Sequence, residues 1–159
     1  MDDKLLSIYL NDHCAGSTAG LEVARRSLKS NEGTSYEPYL RDLVTAIEDD
    51  KRELEGLMET LGIAVARFKQ IAAWAAERAG RLKLNGQITG YSPLSRLIEL
   101  EGLLLGVTAK RLLWRTLNEI ADHDPRLAVT DFDKLIARAE EQMEGLEEHR
   151  LRAAAEALT

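Results

Sequence analysis

The sequence predicts an all-α protein that folds as a four-helix bundle in a single domain, residues 1–159. The chain contains 26 Leu and 20 Ala but only 3 Pro and 5% aromatic residues, a composition that favours helices over a β-sandwich. Apolar residues recur at helical spacing in four long segments of roughly 26–30 residues each. Helices of matched length are typical of a bundle around one core.

The first long helix is predicted over residues 4–29, and the second from Thr34 to about Gly62. Thr34 and Glu37 fit a capping box, and Pro38 occupies the first turn, where its missing N–H costs nothing. Six residues mark the apolar face of the first helix: Leu6, Leu10, His13, Gly20, Ala24 and Leu28. Seven residues mark that of the second: Leu40, Leu43, Ile47, Asp50, Leu54, Leu57 and Leu61.

A shorter helix is predicted over residues 65–83, followed by a turn-rich loop over residues 85–91. Ser92 as N-cap and Pro93 as first helical residue begin the third long helix, which ends near Ile120. If the middle connection crosses over the bundle, the second and third long helices are parallel. If it lies across one end, neighbouring helices alternate in direction, and the sequence leaves both arrangements open.

The last helix is predicted over residues 131–158, with Thr130 as its N-cap. Residues 122–129, which include Pro125, separate it from the third helix. Eight residues mark its apolar face: Phe132, Leu135, Ile136, Ala139, Met143, Leu146, Ala153 and Ala157.

Composition and charge exclude several classes of protein. The net charge is −6 and the pI is near 5.2, whereas a general nucleic-acid binder is normally basic. No stretch of 18 apolar residues exists, so no membrane span is predicted. The first residues lack the layout of a signal peptide, and Cys14 is the single cysteine. We therefore expect a cytoplasmic protein with no intrachain disulfide, no nucleic-acid partner and no membrane partner.

Each long helix carries an ionisable residue within or beside its apolar face. These residues are His13, Asp50, Glu101 and, on the last helix, His149 and Arg150. Burying an unpaired charge is costly, so the groups should pair with one another or bind something. Two interpretations follow.

In the first interpretation, His13, Asp50, Glu101 and His149 bind iron, manganese or zinc, because imidazoles and carboxylates suit these metals. A di-metal carboxylate centre uses a Glu-x-x-His motif on each of two helices. Here no His stands three residues after Asp50, and no Glu stands three residues before His149. Both motifs are incomplete, and an inward Arg150 would repel a metal.

In the second interpretation, which we favour, these groups form a structural network. Arg150 pairs with Asp50 or Glu101 in bidentate fashion, and His13 hydrogen-bonds one of those carboxylates. Such a network can set the register of the helices. On this interpretation we expect no catalytic residues and no cofactor.

Four glycines are spaced in pairs, Gly16 and Gly20 on the first helix and Gly102 and Gly106 on the third. A glycine in a helix interior lowers helix stability by about 1 kcal/mol relative to alanine, so packing or function must favour glycine at these positions. We favour close approach of the two helices, and a ligand pressed against the backbone is the alternative.

Residues 91–101 (YSPLSRLIELE) and 147–152 (EEHRLR), with two helical hairpins and polar core groups, resemble the ferritin-like superfamily. Within it, the resemblance is to a small bacterial group of unassigned function that lacks complete Glu-x-x-His motifs. It implies a ferritin-like four-helix bundle with a shorter helix in the long connection. Members commonly bind two metals and store iron or oxidise substrates with oxygen. The positions matching their ligands would be His13 or Glu22, Asp50 and Glu53, Glu101, and His149.

We therefore expect a non-catalytic bundle with a structural or interaction role and a buried polar network. The alternative is a metal-binding oxidoreductase or iron-handling protein. A third possibility is a bundle that binds a small molecule in an apolar pocket beside the four glycines. Residues 94–114 form a broad apolar face, and Trp74 and Trp114 lie outside the main apolar stripes of their helices. Both observations predict a homodimer. They do not identify any other protein partner.

Overall fold

The computed structural model describes residues 2–66 and 91–159. These residues form four long helices: α1, Asp3–Ser30; α2, Glu37–Thr60; α3, Pro93–Glu119; and α4, Phe132–Leu158. A 3-10 turn, Ala121–His123, follows α3. Neither described stretch contains a β-strand. The predicted all-α four-helix bundle is confirmed.

Local sequence signals set most of the helix ends. The Ser92 hydroxyl accepts a hydrogen bond from the Ser95 backbone N–H at 3.1 Å, directly before the first residue of α3. Helix α4 is capped by Asp131 rather than by Thr130, because the Asp131 carboxylate accepts from the Lys134 N–H at 3.0 Å. Each cap satisfies a backbone N–H that has no partner inside its helix.

Helix α2 begins three residues later than predicted, at Glu37. The Thr34 hydroxyl accepts from the Tyr36 N–H at 3.2 Å, and the Glu37 carboxylate accepts from the Gly33 N–H at 2.7 Å. Thr34 and Glu37 therefore tie the turn before the helix rather than its first residues. The helix ends where Gly62, with φ of 71°, supplies the left-handed conformation that commonly stops a helix.

Two clusters of buried apolar side chains fill opposite ends of the bundle. The Trp114 cluster comprises Leu6, Leu10, Cys14, Leu54, Leu57, Met58, Leu61, Leu113, Trp114, Leu117, Leu127, Phe132 and Leu135. The Leu100 cluster comprises Leu21, Ala24, Tyr36, Leu40, Leu43, Ile47, Leu97, Leu100, Leu103, Val107, Ala139, Leu146 and Ala153. Helices α1 and α4 start in the first cluster and end in the second, whereas α2 and α3 do the reverse. The bundle therefore runs up, down, down, up.

Helices α2 and α3 are parallel. Of the two arrangements that the sequence left open, this is the one expected of a crossover connection. The helix predicted over residues 65–83 and the loop over residues 85–91 lie, apart from residues 65, 66 and 91, outside the described residues. Trp74 lies outside them as well.

Candidate functional site

A cavity of about 390 Å³ lies between α1, α2 and α3. It lies where the two apolar clusters meet, because residues of both clusters line it. These are Leu54 and Leu113 of the Trp114 cluster and Ile47 and Val107 of the Leu100 cluster. Its wall is mainly apolar. Its volume falls in the range of small-molecule sites.

The four paired glycines line this cavity. Gly16 and Gly20 form part of the α1 wall, and Gly102 and Gly106 form part of the α3 wall. A Cβ atom added at any of the four would meet no atom of the described residues within 4 Å. Among the described residues, no other helix comes close to these glycines, so they do not serve to bring α1 and α3 into contact with each other.

A buried carboxylate on α2 joins three helices beside the cavity. Asp50 is only 3% exposed and forms ion pairs with Lys110 of α3 and Arg138 of α4. The Gln142 side-chain amide of α4 donates to the same carboxylate at 2.9 Å, and the Lys110 ammonium also donates to the Gln142 carbonyl. We call these four residues the Asp50 network. It holds α2, α3 and α4 in register at the junction of the two clusters.

The charges of the Asp50 network would stabilise an additional negative charge placed close to it. Burial lowers the pKa of the Lys110 ammonium and the Arg138 guanidinium lowers it further, while the Asp50 carboxylate acts in the opposite direction. Two cationic side chains share one carboxylate, so the network carries a surplus of positive charge. Asp50 and Lys110 both lie on the cavity wall.

A second buried carboxylate, Glu99, joins α3 to α1. It is 5% exposed and accepts from the Arg26 guanidinium at 3.0 Å and from the Tyr91 hydroxyl at 2.8 Å. Burial raises the pKa of Tyr91 to about 12, and the Glu99 charge adds to this effect. Tyr91 also accepts from the Asn31 amide at 3.1 Å, which ties the start of α3 to the end of α1.

The prediction that Glu101 lies in the core is wrong. The Glu101 side chain is 49% exposed, whereas Glu99, two residues earlier, is buried. Two residues on a helix point about 200° apart. Apolar residues occur on both sides of the first half of α3, so their pattern did not show which side faces the core.

The four predicted metal ligands lie in different surroundings. His13 is half-buried on the cavity wall, with its ring 4.7 Å from that of Tyr9, and burial lowers its pKa. Asp50 pairs with the cations of its network, and Glu101 lies at the surface. The His149 ring stacks on Tyr39 at 3.7 Å. The described residues contain no group of three or more His, Cys, Asp or Glu side chains arranged to hold a metal ion.

Arg150 takes one of its two predicted partners. It pairs with Glu101 at 3.6 Å, and it also forms a two-pronged pair with Glu147, with both contacts at 2.7 Å. It does not contact Asp50, whose cations are Lys110 and Arg138.

Sequence reasoning missed three members of the Asp50 network, although each left a signal. Gln142 stands three residues after Ala139 and four before Leu146, and Lys110 stands three after Val107, so both fall on inward faces. Arg138 stands three residues after Leu135 and four before Gln142, so it borders the same face of α4.

Trp114 lies inside the bundle rather than at a subunit surface. It is 1% exposed, and its ring centroid lies 6.5 Å from that of Phe132. It therefore gives no support to the predicted homodimer. Trp114 also lines the cavity, and its buried indole N–H has no hydrogen-bond partner within the described part of the chain.

Cys14 is 2% exposed within the Trp114 cluster, as expected of a small packing residue. Burial raises the pKa of its thiol. A thiol held in the neutral form is a poor nucleophile.

Comparison of the chain with models of protein families, with curated proteins and with solved structures finds no match. Among the helices of residues 2–66 and 91–159, none is long and apolar enough to cross a membrane. The geometry of the cavity and its neighbouring charges therefore carries the functional argument.

Proposed function

We propose that this protein is a non-catalytic helical bundle that binds a small, mainly apolar molecule in the cavity between α1 and α3. The observation that carries this proposal is the open space at four glycines inside helices. Alanine would fit at each position and would improve helix stability by about 1 kcal/mol. Packing among the described residues does not require glycine there, whereas a molecule lying against the helix backbones would.

Trp114 is consistent with the same proposal, because it adds a buried aromatic residue to the wall of the cavity. Such side chains are common in the walls of small-molecule sites. The Asp50 network would then have the structural role expected from the sequence, because it fixes the helices that form one side of the site.

We also propose that the chain is a ferritin-like bundle. The support is its wiring: two antiparallel hairpins joined by one long connection, with α2 parallel to α3. The two exposed leucines Leu105 and Leu112, one heptad apart on α3, support the homodimer as a further proposal. Sedimentation equilibrium tests it, and a monomer mass at high concentration would refute it. The acidic composition and single cysteine support a cytoplasmic location.

Binding is tested by isothermal titration calorimetry with 1-octanol, a small apolar molecule with one hydroxyl. We expect one molecule to bind per chain. Gly102→Leu should fill the cavity and abolish the binding heat, while circular dichroism shows an unchanged helix content. Gly56→Leu is the matched control, because Gly56 is an exposed helix glycine outside the cavity and also has no atom within 4 Å of its added Cβ.

Gly20→Leu, on the opposite wall, provides a second blocking variant if Gly102→Leu does not fold. The proposal is overturned if the wild type binds neither 1-octanol nor octanoate, the carboxylate of the same chain length. It is also overturned if a folded Gly102→Leu or Gly20→Leu binds octanol as the wild type does.

A further inference from the structure

The charge around the Asp50 network is unbalanced on the side that faces the cavity. Lys110 and Arg138 both pair with Asp50, and neither forms an ion pair with another carboxylate of the described residues. Lys110 is 16% exposed at its side chain and lines the cavity. A buried surplus of positive charge is unfavourable, so an anion inside the cavity would be stabilised at this point.

One hydrogen-bond donor is available at the same point. The ammonium group of Lys110 has three N–H bonds, of which one is directed to Asp50 and one to Gln142. The third has no acceptor among the described residues, so an oxygen of a carboxylate in the cavity could accept from it.

The remainder of the cavity suits an apolar tail. The glycine pairs and Val107 present no polar side chain to it. Glu99 also lines the cavity, eleven residues before Lys110, which is about 16 Å along the helix axis. Because Glu99 is negative and already paired with Arg26 and Tyr91, that end of the cavity repels a second carboxylate. The charges therefore orient an amphipathic acid in one direction.

We propose that the bound molecule is an apolar carboxylic acid whose carboxylate is held by Lys110 and whose tail lies along the glycine-lined wall towards Glu99. This inference rests on the proposed function, and it adds the chemical class and the orientation of the ligand. It involves no covalent step. Lys110 acts as a binding residue.

Octanoate and 1-octanol, two probes of the same chain length, separate this inference from the proposed function. In calorimetry at pH 7, the wild type should bind octanoate about tenfold more tightly than octanol or better, because a charge-assisted hydrogen bond contributes more than a neutral one. Lys110→Met should remove this preference and leave octanol affinity within about twofold of the wild type. Asp50 keeps Arg138 as a partner in this variant.

Two further variants complete the experiment. Lys110→Gln keeps a hydrogen-bond donor and removes the positive charge, so octanoate affinity should fall about fivefold or more while octanol affinity changes less. This variant also serves if Lys110→Met does not fold. Lys134→Met removes one positive charge from an exposed position on α4 and should leave octanoate affinity unchanged.

The outcomes are distinct. If the wild type binds neither probe, the proposed function fails and the inference fails with it. If the wild type binds both probes equally, or if a folded Lys110→Met or Lys110→Gln variant keeps the preference for octanoate, the cavity still binds an apolar molecule but the assignment of a carboxylic acid is overturned.

Discussion

Helix α3 contacts α4 along its whole length, whereas towards α1 it leaves a cavity. On the α4 side, ion pairs join Glu101 to Arg150 at 3.6 Å and Arg111 to Glu140 at 3.3 Å, with Lys110 bound to Gln142 between them. On the α1 side, glycines occupy the middle of both helices.

Helices α1 and α3 are joined by an ion pair between Arg26, near the end of α1, and Glu99, near the start of α3. The opposite end closes through leucines of the Trp114 cluster, such as Leu10 and Leu117. The α1–α3 interface is therefore held at both ends and open in the middle.

The two sides of α3 therefore differ in what they contribute: the α4 side stabilises the fold, and the α1 side forms the proposed binding site. The α4 side buries apolar area and pairs charges, and both stabilise the fold. The α1 side keeps four glycines that alanine would improve by about 1 kcal/mol each. Proteins commonly retain such locally unfavourable residues where activity or binding needs them.

The largest effect should come from breaking the packed side at its buried charges. Asp50→Ala leaves Lys110 and Arg138 buried without their carboxylate, so the free energy of unfolding should fall by about 3–5 kcal/mol in urea denaturation. Asp49→Ala is the control, because Asp49 is 43% exposed at its side chain and pairs with Arg52 on the same helix. It should cost less than about 1 kcal/mol. Equal losses in the two variants would show that the Asp50 network is not what holds α3 and α4 to α2.

Two substitutions with effects of intermediate size should differ in sign between the packed α2–α4 contact and the open α1–α3 interface. An added Cβ at Gly145 of α4 would lie 2.9 Å from Cε2 of Tyr39, whose ring is stacked on His149 and has little room to move. Gly145→Ala should therefore destabilise the protein, since overpacking costs about 1–3 kcal/mol. Gly102→Ala meets no such contact and should stabilise it by up to about 1 kcal/mol.

Both variants are measured by urea denaturation under the same conditions. If the two changes in unfolding free energy have the same sign, the contrast between the packed α2–α4 contact and the open α1–α3 interface does not hold.

The smallest effect should be a pH dependence at the cavity wall. Burial lowers the pKa of His13 below its ordinary value near 6.5. As pH falls, His13 therefore takes up a proton in the unfolded state before it does so in the folded state. This lowers the free energy of unfolding as pH falls through about 6.5 and has no effect well above that pH. His13→Gln should reduce the fall in unfolding free energy between pH 7.5 and pH 5.5. His123→Gln, in the turn after α3, is the control and should leave that slope unchanged; an identical slope in all three proteins would remove His13 as the cause.

The inward face of α2 was predictable from sequence because its pattern is one-sided. All seven residues assigned to that face, including Asp50, are buried. Charged residues fill the opposite side of α2, so helical spacing alone identifies the buried stripe. The same reasoning failed on α3, where apolar residues on both sides hid the difference between Glu99 and Glu101.

The candidate site was only partly predictable. Sequence reasoning singled out the glycine pairs and named an apolar pocket as one of three possible functions, but it favoured helix contact at those positions. Spacing along one helix shows that Gly102 and Gly106 share a face. It does not show how far away the facing helix lies, and that distance decides between contact and cavity.

By itself the sequence determined the all-α class, most of the helix ends and the buried stripe of α2, because these depend on neighbours within a few residues along the chain. Only the tertiary structure decided that α2 and α3 run parallel, that Asp50 pairs with Lys110 and Arg138 rather than with Arg150, and that four glycines enclose open space. Each of these depends on which faces of separate helices meet and on the distance between the helices. Residues far apart in the chain determine both together.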